Sequence, residues 1–309
     1  MERCLKAIFA QEIDRKNFEV IVVDDGSTDE TADFMKCYIA AAKENNIFYY
    51  FQQGKGASSA RNLGFDKSQG ELVLFNDDDN IQKSGCLNEH IKVHTLFSDN
   101  NIAVSGNFIT EKKASVCQYS SDTGKIAYID GQNNIWHVHW LRLWTKNVSF
   151  KRIFFKEFGI FDPVLQQYED TELGYRLSKH GLLLLMAGNA LNIDECPVMD
   201  TKFFITEKAK RYGKAFFVWH RKQPDLLEEL QKENYLEIYF CPSKKSKLIK
   251  RIKFWLGRVL VNGLTVNLWI AIAGFLEPKY RRLALTISTV VYKYNLRRAY
   301  YAESKNYKY

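Results

Sequence analysis

The sequence predicts an α/β protein that begins with the pattern of a parallel sheet and ends in a helical tail. Short, continuous apolar runs alternate with helical patterns over the first 80 residues, as in parallel sheets whose strands are buried on both faces. The composition changes near residue 244, where a basic and apolar tail begins. With 309 residues, 46% hydrophobic and 26% charged, the chain is long enough to bury a core, and a disordered chain is excluded.

Each predicted element rests on a local pattern. Strands are short apolar runs, and helices follow cap residues or show apolar residues at helical spacing. The predicted strands are Phe18–Val23, Ile47–Phe51, Leu72–Phe75 and Leu182–Met186. One predicted helix follows a capping box at Ser27 and Glu30, and another runs from Ser58 to a stop at Gly70. Further helices are predicted over Glu169–Leu177 and Ile205–Lys232. The region between residues 103 and 155 is mixed and rich in aromatic residues.

Two of the predicted strands run directly into acidic clusters. Asp24 and Asp25 follow the first strand, and Asp77, Asp78 and Asp79 follow the third. Because ligands bind beyond the carboxyl ends of strands in open α/β sheets, we expect both clusters on one rim. The D-x-D spacing of Asp77 and Asp79 suits a divalent cation that prefers oxygen ligands, although this spacing is also common in ordinary surface loops.

Longer motifs around these clusters resemble those of family 2 glycosyltransferases, which are inverting enzymes of the GT-A fold. The resemblance covers about residues 4 to 185, with every motif in the family's order. The motifs are Val22–Asp29, Gly56–Gly64, Gly70–Asp79, Asn147–Ser149, Gly159–Asp162 and Tyr168–Gly174. The resemblance implies a Rossmann-like nucleotide-binding half and a mixed-sheet acceptor half. It also implies transfer of a sugar from a nucleotide-sugar donor, with a UDP-sugar expected, to a glycan or lipid-linked acceptor.

The resemblance also implies a role for each polar residue on the donor side. Asp24 and Asp25 would hold the nucleoside, because carboxylates accept hydrogen bonds from base and ribose. Asp77 would face the ribose or the metal, and Asp79 would bind the Mn²⁺ or Mg²⁺ that bridges the diphosphate. Arg61 would attract the anionic donor by its charge near a helix N-terminus. The alternative for Arg61 is an ordinary solvated helix charge.

On the acceptor side, the resemblance makes Asp170 the expected general base, with Glu169 beside it. The implied reaction is a single in-line displacement in which the base takes the acceptor hydroxyl proton. The alternative is an acidic pair that stabilises a helix N-terminus, and both roles are compatible.

Aromatic residues and one motif residue are further acceptor-side candidates. Trp136 and Trp140 have large apolar faces suited to stacking on sugar rings, and burial in the core is the alternative. His137 lies among these tryptophans, where an H-x-H pair is more often structural than metal-binding. Asn147 belongs to the motif Asn147–Ser149.

The chain departs from the family pattern at its start. Family members open with a strand, whereas Met1 falls where the following helix would begin. In a doubly wound sheet that strand is central, so we expect its neighbours to be unpaired. The expected causes are a start site placed too far downstream or a truncated, inactive product.

The charge is distributed unevenly along the chain. From Lys244 to Tyr309 there are 15 Lys and Arg residues against Glu277 and Glu303, a net charge of +13, so the rest of the chain carries −5 of the total +8. Val259–Leu276 contains no charged residue, and Leu283–Tyr292 is a second apolar segment. We therefore expect residues 244–309 to attach to an anionic membrane surface, and nucleic-acid binding is not expected. A soluble helical subdomain is the alternative.

The sequence predicts three segments and one location. They are a glycosyltransferase domain over residues 1–205, a helical extension over residues 206–243, and the membrane-associating tail over residues 244–309. The six cysteines form no C-x-x-C pair, and the N-terminus lacks the apolar run of a signal peptide. Both features fit a reducing compartment, so the cytoplasmic face of a membrane is the expected location.

Two other functions stay open at this point. Paired aspartates with a divalent metal also occur in nucleotidyltransferases. In such an enzyme, however, the acceptor-side pair Glu169 and Asp170 would have no catalytic role. A catalytically inactive relative that serves as a membrane-bound subunit is the non-enzymatic alternative, and the departure at the N-terminus motivates it.

Overall fold

The computed structural model describes residues 1–42, 46–110, 127–130, 134–194, 201–232, 260–276 and 280–306. The chain divides into two units, of which the first contains the described residues up to 194 and the second contains those from 201 onward. The predicted basic stretch Lys244–Lys253 lies outside the described residues, as do Arg258 and Lys279.

The first unit alternates strands and helices from its start. Its strands are β1 Val20–Asp24, β2 Ile47–Phe51, β3 Leu72–Asn76, β4 Asn80–Gln82, β5 Ile102–Thr110, β6 Ala127–Asp130, β7 Ile135–His137, β8 Asn147–Lys151 and β9 Leu183–Asp194. Its helices are α1 Glu2–Phe9, α2 Thr31–Ala41, α3 Ala57–Lys67, α4 Cys86–Leu96, α5 Arg152–Phe158 and α6 Glu169–Ser178. All four predicted strands are present, and the prediction for β2 has the observed ends.

The strands of the first unit form two sheets. Strands β1 and β2 are parallel and make a two-stranded sheet, with Val20 opposite Ile47. The other sheet has seven strands in the order β3-β8-β5-β9-β7-β6, with β4 paired to β9. Among the paired strands of this sheet in the described residues, only β5 and β9 run parallel, so the sheet is mixed. Within the described residues β3 pairs with β8 and not with β1.

The predicted capping box before α2 is wrong. The helix begins at Thr31, and its N-cap residue Glu30 makes no side-chain cap bond. The Asp29 carboxylate instead accepts a hydrogen bond from the Thr31 backbone N–H, while the Ser27 N–H donates to Asp24. Asp outcompetes Ser here because a carboxylate is the stronger acceptor for a nearby backbone N–H.

Helices α5 and α6 pack on the seven-stranded sheet through an aromatic core. Phe75 of β3 lies edge-on to Phe161, with ring centroids 5.1 Å apart, and also contacts Phe155 of α5 at 6.0 Å. Phe150 of β8 joins the same cluster at 4.3 Å from Phe155. This packing holds the segment that leads into α6 against the end of β3.

The second unit is helical. Its helices are α7 Thr201–Phe203, which continues through a π-helical turn at Phe204–Lys208 into α8 Ala209–Lys222, and then α9 Leu226–Lys232, α10 Val266–Leu276 and α11 Arg281–Asn306. Ile205, Val261, Val266 and Val291 form its core cluster near α10 and α11. Among the described residues, no helix has the length and apolar character needed to cross a bilayer.

The apolar segment predicted at Val259–Leu276 contains a shorter helix than its composition suggests. Helix α10 has 11 residues, because Asn262 forms a turn before it. The Asn262 side chain accepts hydrogen bonds from the backbone N–H groups of Leu264 and Thr265, at 2.9 and 3.2 Å. Such side-chain bonds compete with helix formation and favour a helix start.

Candidate active site

Helix α3 begins against one of the two predicted acidic clusters. The Asp25 carboxylate accepts hydrogen bonds from the backbone N–H groups of Lys55 and Gly56 at 2.7 and 2.8 Å, and from Gln52 Nε2 at 2.6 Å. A carboxylate is favoured there because the N–H groups at a helix start carry a partial positive charge. Asp25 therefore fixes the loop that leads into α3.

Asp24 is buried beside Asp25 at the end of β1. Its carboxylate accepts hydrogen bonds from the Ser27 backbone N–H and the Tyr49 hydroxyl, each at 2.7 Å. Burial raises the pKa of Asp24, but hydrogen bonds from Ser27, Tyr49 and Gly26 outweigh it and hold the pKa below its ordinary value. Gly26 has φ +88°, and a Cβ there would lie 2.9 Å from the Gly54 backbone nitrogen, so glycine is required for this turn.

Arg61, one turn into α3, joins the second acidic cluster to the predicted base pair. Its Nη1 lies 2.8 Å from Glu169 Oε1, and its Nη2 lies 3.2 Å from Asp77 Oδ1. The guanidinium also lies over the Phe161 ring, 5.6 Å from its centroid. Burial alone would lower the pKa of Arg61. The charges of Glu169 and Asp77 outweigh burial, so the pKa of Arg61 lies above its ordinary value. We call Arg61, Asp77, Glu169 and Asp170 the charged cluster.

Glu169 and Asp170 occupy the first turn of α6. The residue before them, Tyr168, has the left-handed conformation φ 63°, ψ 14°, from which the chain enters the helix. Asp170 Oδ1 accepts hydrogen bonds from the Thr171 backbone N–H at 2.7 Å and the Thr171 hydroxyl at 3.1 Å. Burial, with a further contribution from the Glu169 charge, raises the pKa of Asp170 to about 7. A carboxylate with such a pKa is suited to proton transfer near neutral pH.

The acidic turn after β3 is held by amide side chains. Asn76 Nδ2 donates to the backbone carbonyls of Asp77 and Asn80, at 2.8 and 3.2 Å. Asn192 Nδ2, from β9, donates to Asn76 Oδ1 at 2.9 Å. Asp79 is partly exposed and its Oδ1 accepts from Asn80 Nδ2 at 3.1 Å. Long-range bonds from β9 therefore position the turn.

The donor set of this turn fits a hard cation that shares its coordination with substrate phosphates. Asp77 and Asp79 each present carboxylate oxygens, and Mg²⁺-type cations are commonly held by one or two carboxylates plus phosphate oxygens. Within the described ranges no group of three or more His, Cys, Asp or Glu residues could hold a metal by itself. The turn therefore suits a cation bound together with a diphosphate better than a metal enclosed by protein alone.

Behind this turn lies a second polar cluster that sequence reasoning missed. His94 Nε2 is 2.9 Å from Ser149 Oγ, and Ser149 Oγ is 2.8 Å from His90 Nδ1. His90 Nε2 is 2.9 Å from Asn147 Oδ1, and Asn147 Nδ2 donates to the Ala190 carbonyl at 3.0 Å. With both histidines neutral, the donors follow one another along the chain of contacts. His94 Nε2–H donates to Ser149 Oγ, the Ser149 hydroxyl donates to His90 Nδ1, and His90 Nε2–H donates to Asn147 Oδ1.

This second cluster is deeply buried and uncharged. Burial lowers the pKa of His90 to about 4 and that of His94 to about 3. Cys86 Sγ lies 3.9 Å from Asn147 Oδ1 and 3.4 Å from Asn192 Oδ1, so it connects the cluster to the bond between Asn192 and Asn76. We call His90, His94, Asn147, Ser149 and Asn192 the neutral network. The i, i+4 spacing of the two histidines on α4 was the one signal in the sequence that both face the same way.

The acceptor-side candidates occupy different environments. Asn147 is 2% exposed and bonds to groups of the protein, including His90. Trp140 is 8% exposed and packs against Tyr175 at 5.0 Å, which matches the core alternative. Trp136 is half-buried in β7, and the adjacent His137 is exposed. The structure therefore does not bring these four side chains to one surface.

Comparisons with known proteins agree with this geometry. The model of Glycosyl transferase family 2 matches residues 1–158. The chain is 28% identical over 265 residues to the validoxylamine A glucosyltransferase of Streptomyces hygroscopicus subsp. jinggangensis (strain 5008), covering 74% of this chain and 59% of that protein. The chain therefore spans less than two thirds of that relative's length.

Two further proteins are similar over different extents. The chain is 32% identical over 129 residues to the GalNAc(5)-diNAcBac-PP-undecaprenol beta-1,3-glucosyltransferase of Campylobacter jejuni subsp. jejuni serotype O:2 (strain ATCC 700819 / NCTC 11168), covering 40% of this chain and 38% of that protein. The fold is similar to that of the mannosyltransferase PcManGT from Pyrobaculum calidifontis in complex with GDP-Man and Mn²⁺, with a TM-score of 0.61 at 16% identity. That match covers 96% of this chain and 82% of the other, and the shared fold is GT-A.

Proposed function

The chain belongs to glycosyl transferase family 2, and on that premise we propose that it transfers a sugar from a nucleotide-sugar donor to an acceptor hydroxyl with inversion. The expected donor is a UDP-sugar, and the expected acceptor is a glycan or a lipid-linked saccharide. The C. jejuni relative, whose name includes an undecaprenol diphosphate, supports the lipid-linked class.

One observation carries the proposal. Arg61 contacts Asp77 on the predicted donor side and Glu169 beside the predicted base, at 3.2 and 2.8 Å. The Arg61 side chain therefore bridges the acidic turn and the start of α6, although about 90 residues separate them in sequence. A donor held by the turn would have its anomeric carbon near the α6 carboxylates, as an in-line displacement requires.

Asp170 is the group that we assign as the base. Both of its described hydrogen bonds, from the backbone and hydroxyl of Thr171, use Oδ1, so Oδ2 is the oxygen that would take the acceptor proton. The acceptor oxygen then attacks the anomeric carbon while the bond to the diphosphate breaks. The negative charge of Glu169 beside Asp170 raises the pKa of Asp170 towards the value that a base needs at neutral pH.

Asp77 and Asp79 are the residues that we propose hold a divalent cation, Mn²⁺ or Mg²⁺. When bound, the cation supplies positive charge for the departing diphosphate. The Mn²⁺ in the solved structure of PcManGT supports this assignment. Asp24 and Asp25 are proposed to contact the nucleoside, since each lies at the end of β1 near the start of α3.

The decisive experiment measures donor binding and transfer separately in one variant. Asp170→Asn should bind UDP with Mn²⁺ as the wild type does but lower sugar transfer at least about 10²-fold, as loss of a general base does. Asp66→Asn, which removes an exposed carboxylate from α3, is the matched control and should keep full transfer. Normal turnover of Asp170→Asn would remove Asp170 from the mechanism.

The same assay separates the alternative functions. A screen of UDP- and GDP-sugars that yields free nucleoside diphosphate supports a glycosyltransferase, whereas release of pyrophosphate from nucleoside triphosphates would support a nucleotidyltransferase. An inactive subunit would bind no donor in calorimetry with UDP and Mn²⁺.

We further propose that the C-terminal residues 244–309 attach the protein to the cytoplasmic face of an anionic membrane without crossing it. Besides the net charge of +13, support comes from α10, where Leu264, Leu268 and Phe275 are 95%, 60% and 84% exposed. Their spacing puts them along one side of the helix and the turn before it, which we call the apolar face. Val266 and Ala273 are buried on the other side. An apolar stripe with basic flanks is typical of helices that lie in a membrane interface.

Vesicle sedimentation of the full chain tests this attachment. We expect binding to phosphatidylcholine vesicles that contain phosphatidylglycerol, with only partial release by high salt, because the apolar face inserts. Replacing Leu264, Leu268 and Phe275 together by Ser should make the remaining binding fully salt-sensitive. Leu96→Ser, at an exposed site on α4, is the control and should change nothing. Absence of binding by the wild type would favour the soluble-subdomain alternative.

A further inference from the structure

Helix α3 holds the loop that leads into the two carboxylates of α6. This loop, residues 159–168, joins α5 to α6. Asn62 of α3 bonds to both backbone groups of one loop residue, because its Nδ2 donates to the Phe161 carbonyl at 2.9 Å and its Oδ1 accepts from the Phe161 N–H at 3.1 Å. One turn earlier on α3, Ser58 Oγ donates to the Leu165 carbonyl at 2.9 Å. Three side-chain bonds from one helix therefore fix the loop.

The amide of Asn62 holds a peptide group in one orientation. A primary amide offers a donor and an acceptor, which match the C=O and the N–H of one residue. Two bonds to Phe161 therefore restrict both the position and the rotation of its backbone, whereas one bond would leave rotation free. We call this pair of bonds the amide clamp. Asn62 follows Arg61 directly in the sequence, so the same turn of α3 carries the clamp and the cation of the charged cluster.

The Phe161 ring connects the amide clamp to the charged cluster. The Arg61 guanidinium lies over this ring, 5.6 Å from its centroid, and Phe75 of β3 contacts the ring edge-on at 5.1 Å. Phe161 is 3% exposed, and close packing of this kind allows little movement of the ring. A shift of the Phe161 backbone would therefore move the surface that supports Arg61, which bridges Asp77 and Glu169.

We propose that Asn62 is a positioning residue for sugar transfer, which acts by fixing Phe161 and so the place of the α6 carboxylates relative to the acidic turn. The inference rests on the proposed function, because it assumes that Asp170 is the base and that the turn holds the donor. The described bonds that hold Asp25 and the acidic turn do not involve Asn62, so its loss should leave donor binding intact. A misplacement of the base by about 1 Å, in contrast, can lower the rate about 10²-fold.

Two measurements on Asn62→Ala separate positioning from a general loss of stability. With the donor that the sugar screen identifies, kcat of transfer should fall at least about tenfold, because the base is displaced. The affinity for UDP with Mn²⁺, measured by calorimetry, should stay within about threefold of wild type. Asn62→Ser keeps a hydroxyl that can make one of the two bonds, so its kcat should lie between those of wild type and Asn62→Ala. The same comparison holds for Asn62→Ser alone if Asn62→Ala does not fold.

Asn46→Ala is the matched control. The Asn46 amide also bonds twice to backbone, from Nδ2 to the carbonyls of Arg15 and Phe18 at 2.7 and 2.8 Å, but it does so where β1 and β2 begin. The acidic residues lie at the other end of β1, so this variant should lose stability without a change in kcat. Thermal unfolding shows whether the two alanine variants lose comparable stability.

Hydrogen exchange followed by mass spectrometry tests the amide clamp without any transfer. In Asn62→Ala, the amides of residues 159–170 should exchange about tenfold faster than in wild type, which corresponds to the loss of one buried hydrogen bond. Asn46→Ala should leave the exchange of this segment unchanged. The measurement uses the full chain and needs neither substrate nor metal.

Wild-type kcat in Asn62→Ala, or unchanged exchange of residues 159–170, would overturn the inference. A parallel fall of kcat and UDP affinity, or an equal fall of kcat in Asn46→Ala, would also overturn it, because either result assigns the effect to stability. A wild type that transfers no sugar would instead reject the proposed function, and the exchange measurement would then still decide whether Asn62 fixes the loop.

Discussion

The charged cluster and the neutral network both reach the acidic turn, and they satisfy their polar groups in different ways. In the charged cluster, Arg61 compensates two carboxylates and Asp170 has a pKa of about 7. In the neutral network, His90 and His94 have pKa values of about 4 and 3, and every described bond joins uncharged groups. Asn192 connects the network to the turn.

The difference indicates a division of work between the two clusters. Opposing charges close together in a partly open site shift pKa values and attract ionic ligands, which is useful for chemistry. Neutral groups cost less to bury than charges, and their mutual hydrogen bonds hold one geometry over a wide pH range. Substitutions in the charged cluster should therefore affect activity most, and those in the neutral network should affect stability or geometry.

The largest effect on sugar transfer is expected for Arg61→Gln. This substitution leaves Asp77 and Glu169 without their shared countercharge. Removing one partner of a buried ion pair costs about 3 kcal/mol or more, and the cost is smaller here because Asp77 is 40% exposed. Urea unfolding should show a loss of roughly 2 kcal/mol, and transfer should fall at least about 10²-fold. Arg61→Lys, which keeps the charge, is the matched variant and should lose less stability. Equal losses in both would mean that the fork geometry, and not the charge, holds the cluster.

The next effect concerns the pH dependence of stability through His90. Its pKa is held at about 4 in the folded protein and is near 6.5 when exposed, so the unfolded chain binds the proton more readily. The contribution to stability is full above about pH 6.5 and is lost as the pH falls towards 4, by the order of 3 kcal/mol.

Urea unfolding between pH 7 and pH 4 measures this loss. His90→Gln should flatten the decline, leaving the part due to His94, whereas His180→Gln at an exposed site should not. A decline as steep in His90→Gln as in wild type would assign it to other groups.

A smaller effect is expected where the neutral network reaches the acidic turn. Asn192→Ala leaves Asn76 Oδ1 without its donor from β9, which costs about 1–3 kcal/mol for a buried group. The turn that carries Asp77 and Asp79 then loses its position, so affinity for UDP with Mn²⁺ should fall several-fold. Asn189→Ala, at an exposed position on the same strand, is the control for both measurements. Unchanged UDP affinity in Asn192→Ala would separate the network from the site.

The smallest effect is expected for Glu169→Gln, which tests how Glu169 acts on Asp170. After burial, the Glu169 charge is the next cause that raises the pKa of Asp170, so Glu169→Gln should lower it. The acidic limb of the transfer rate, which should lie near pH 7 because Asp170 must be ionised, should move down by up to about one pH unit. A limb at the same pH in Glu169→Gln would mean that Asp170 is not the group that titrates.

The charged cluster could be anticipated from the sequence, whereas the neutral network could not. Asp77, Glu169 and Asp170 stand in local motifs, and Arg61 is in a motif that begins a helix. The contact between Arg61 and Glu169, however, spans 108 residues and depends on how α6 packs. The neutral network joins residues of α4, β8 and β9, whose alignment is set by sheet register and not by local pattern.

The aromatic residues show a second reason for incomplete prediction. Tryptophan has the same apolar surface whether it packs in a core or faces a ligand, so composition does not separate Trp140, which is buried, from Trp144, which is half-buried. The pairing of the strands could also be predicted only in part. The prediction of a parallel sheet is right for β1 with β2, but the antiparallel pairing of β3 with β8 depends on contacts between residues far apart in sequence.

The separation of the two sheets has a consequence for local opening. Within the described residues β1 pairs only with β2, and a two-stranded sheet is marginally stable without further packing. The seven-stranded sheet, in contrast, protects β8 and β5 on both edges. Amide hydrogens of β1 should therefore exchange with solvent through small, frequent openings, and those of β8 through near-global unfolding. Because Asp24 and Asp25 end β1, a nucleotide that binds them would slow hydrogen exchange mainly in the two-stranded sheet. Binding would therefore stabilise the sheet that opens most readily in the free protein.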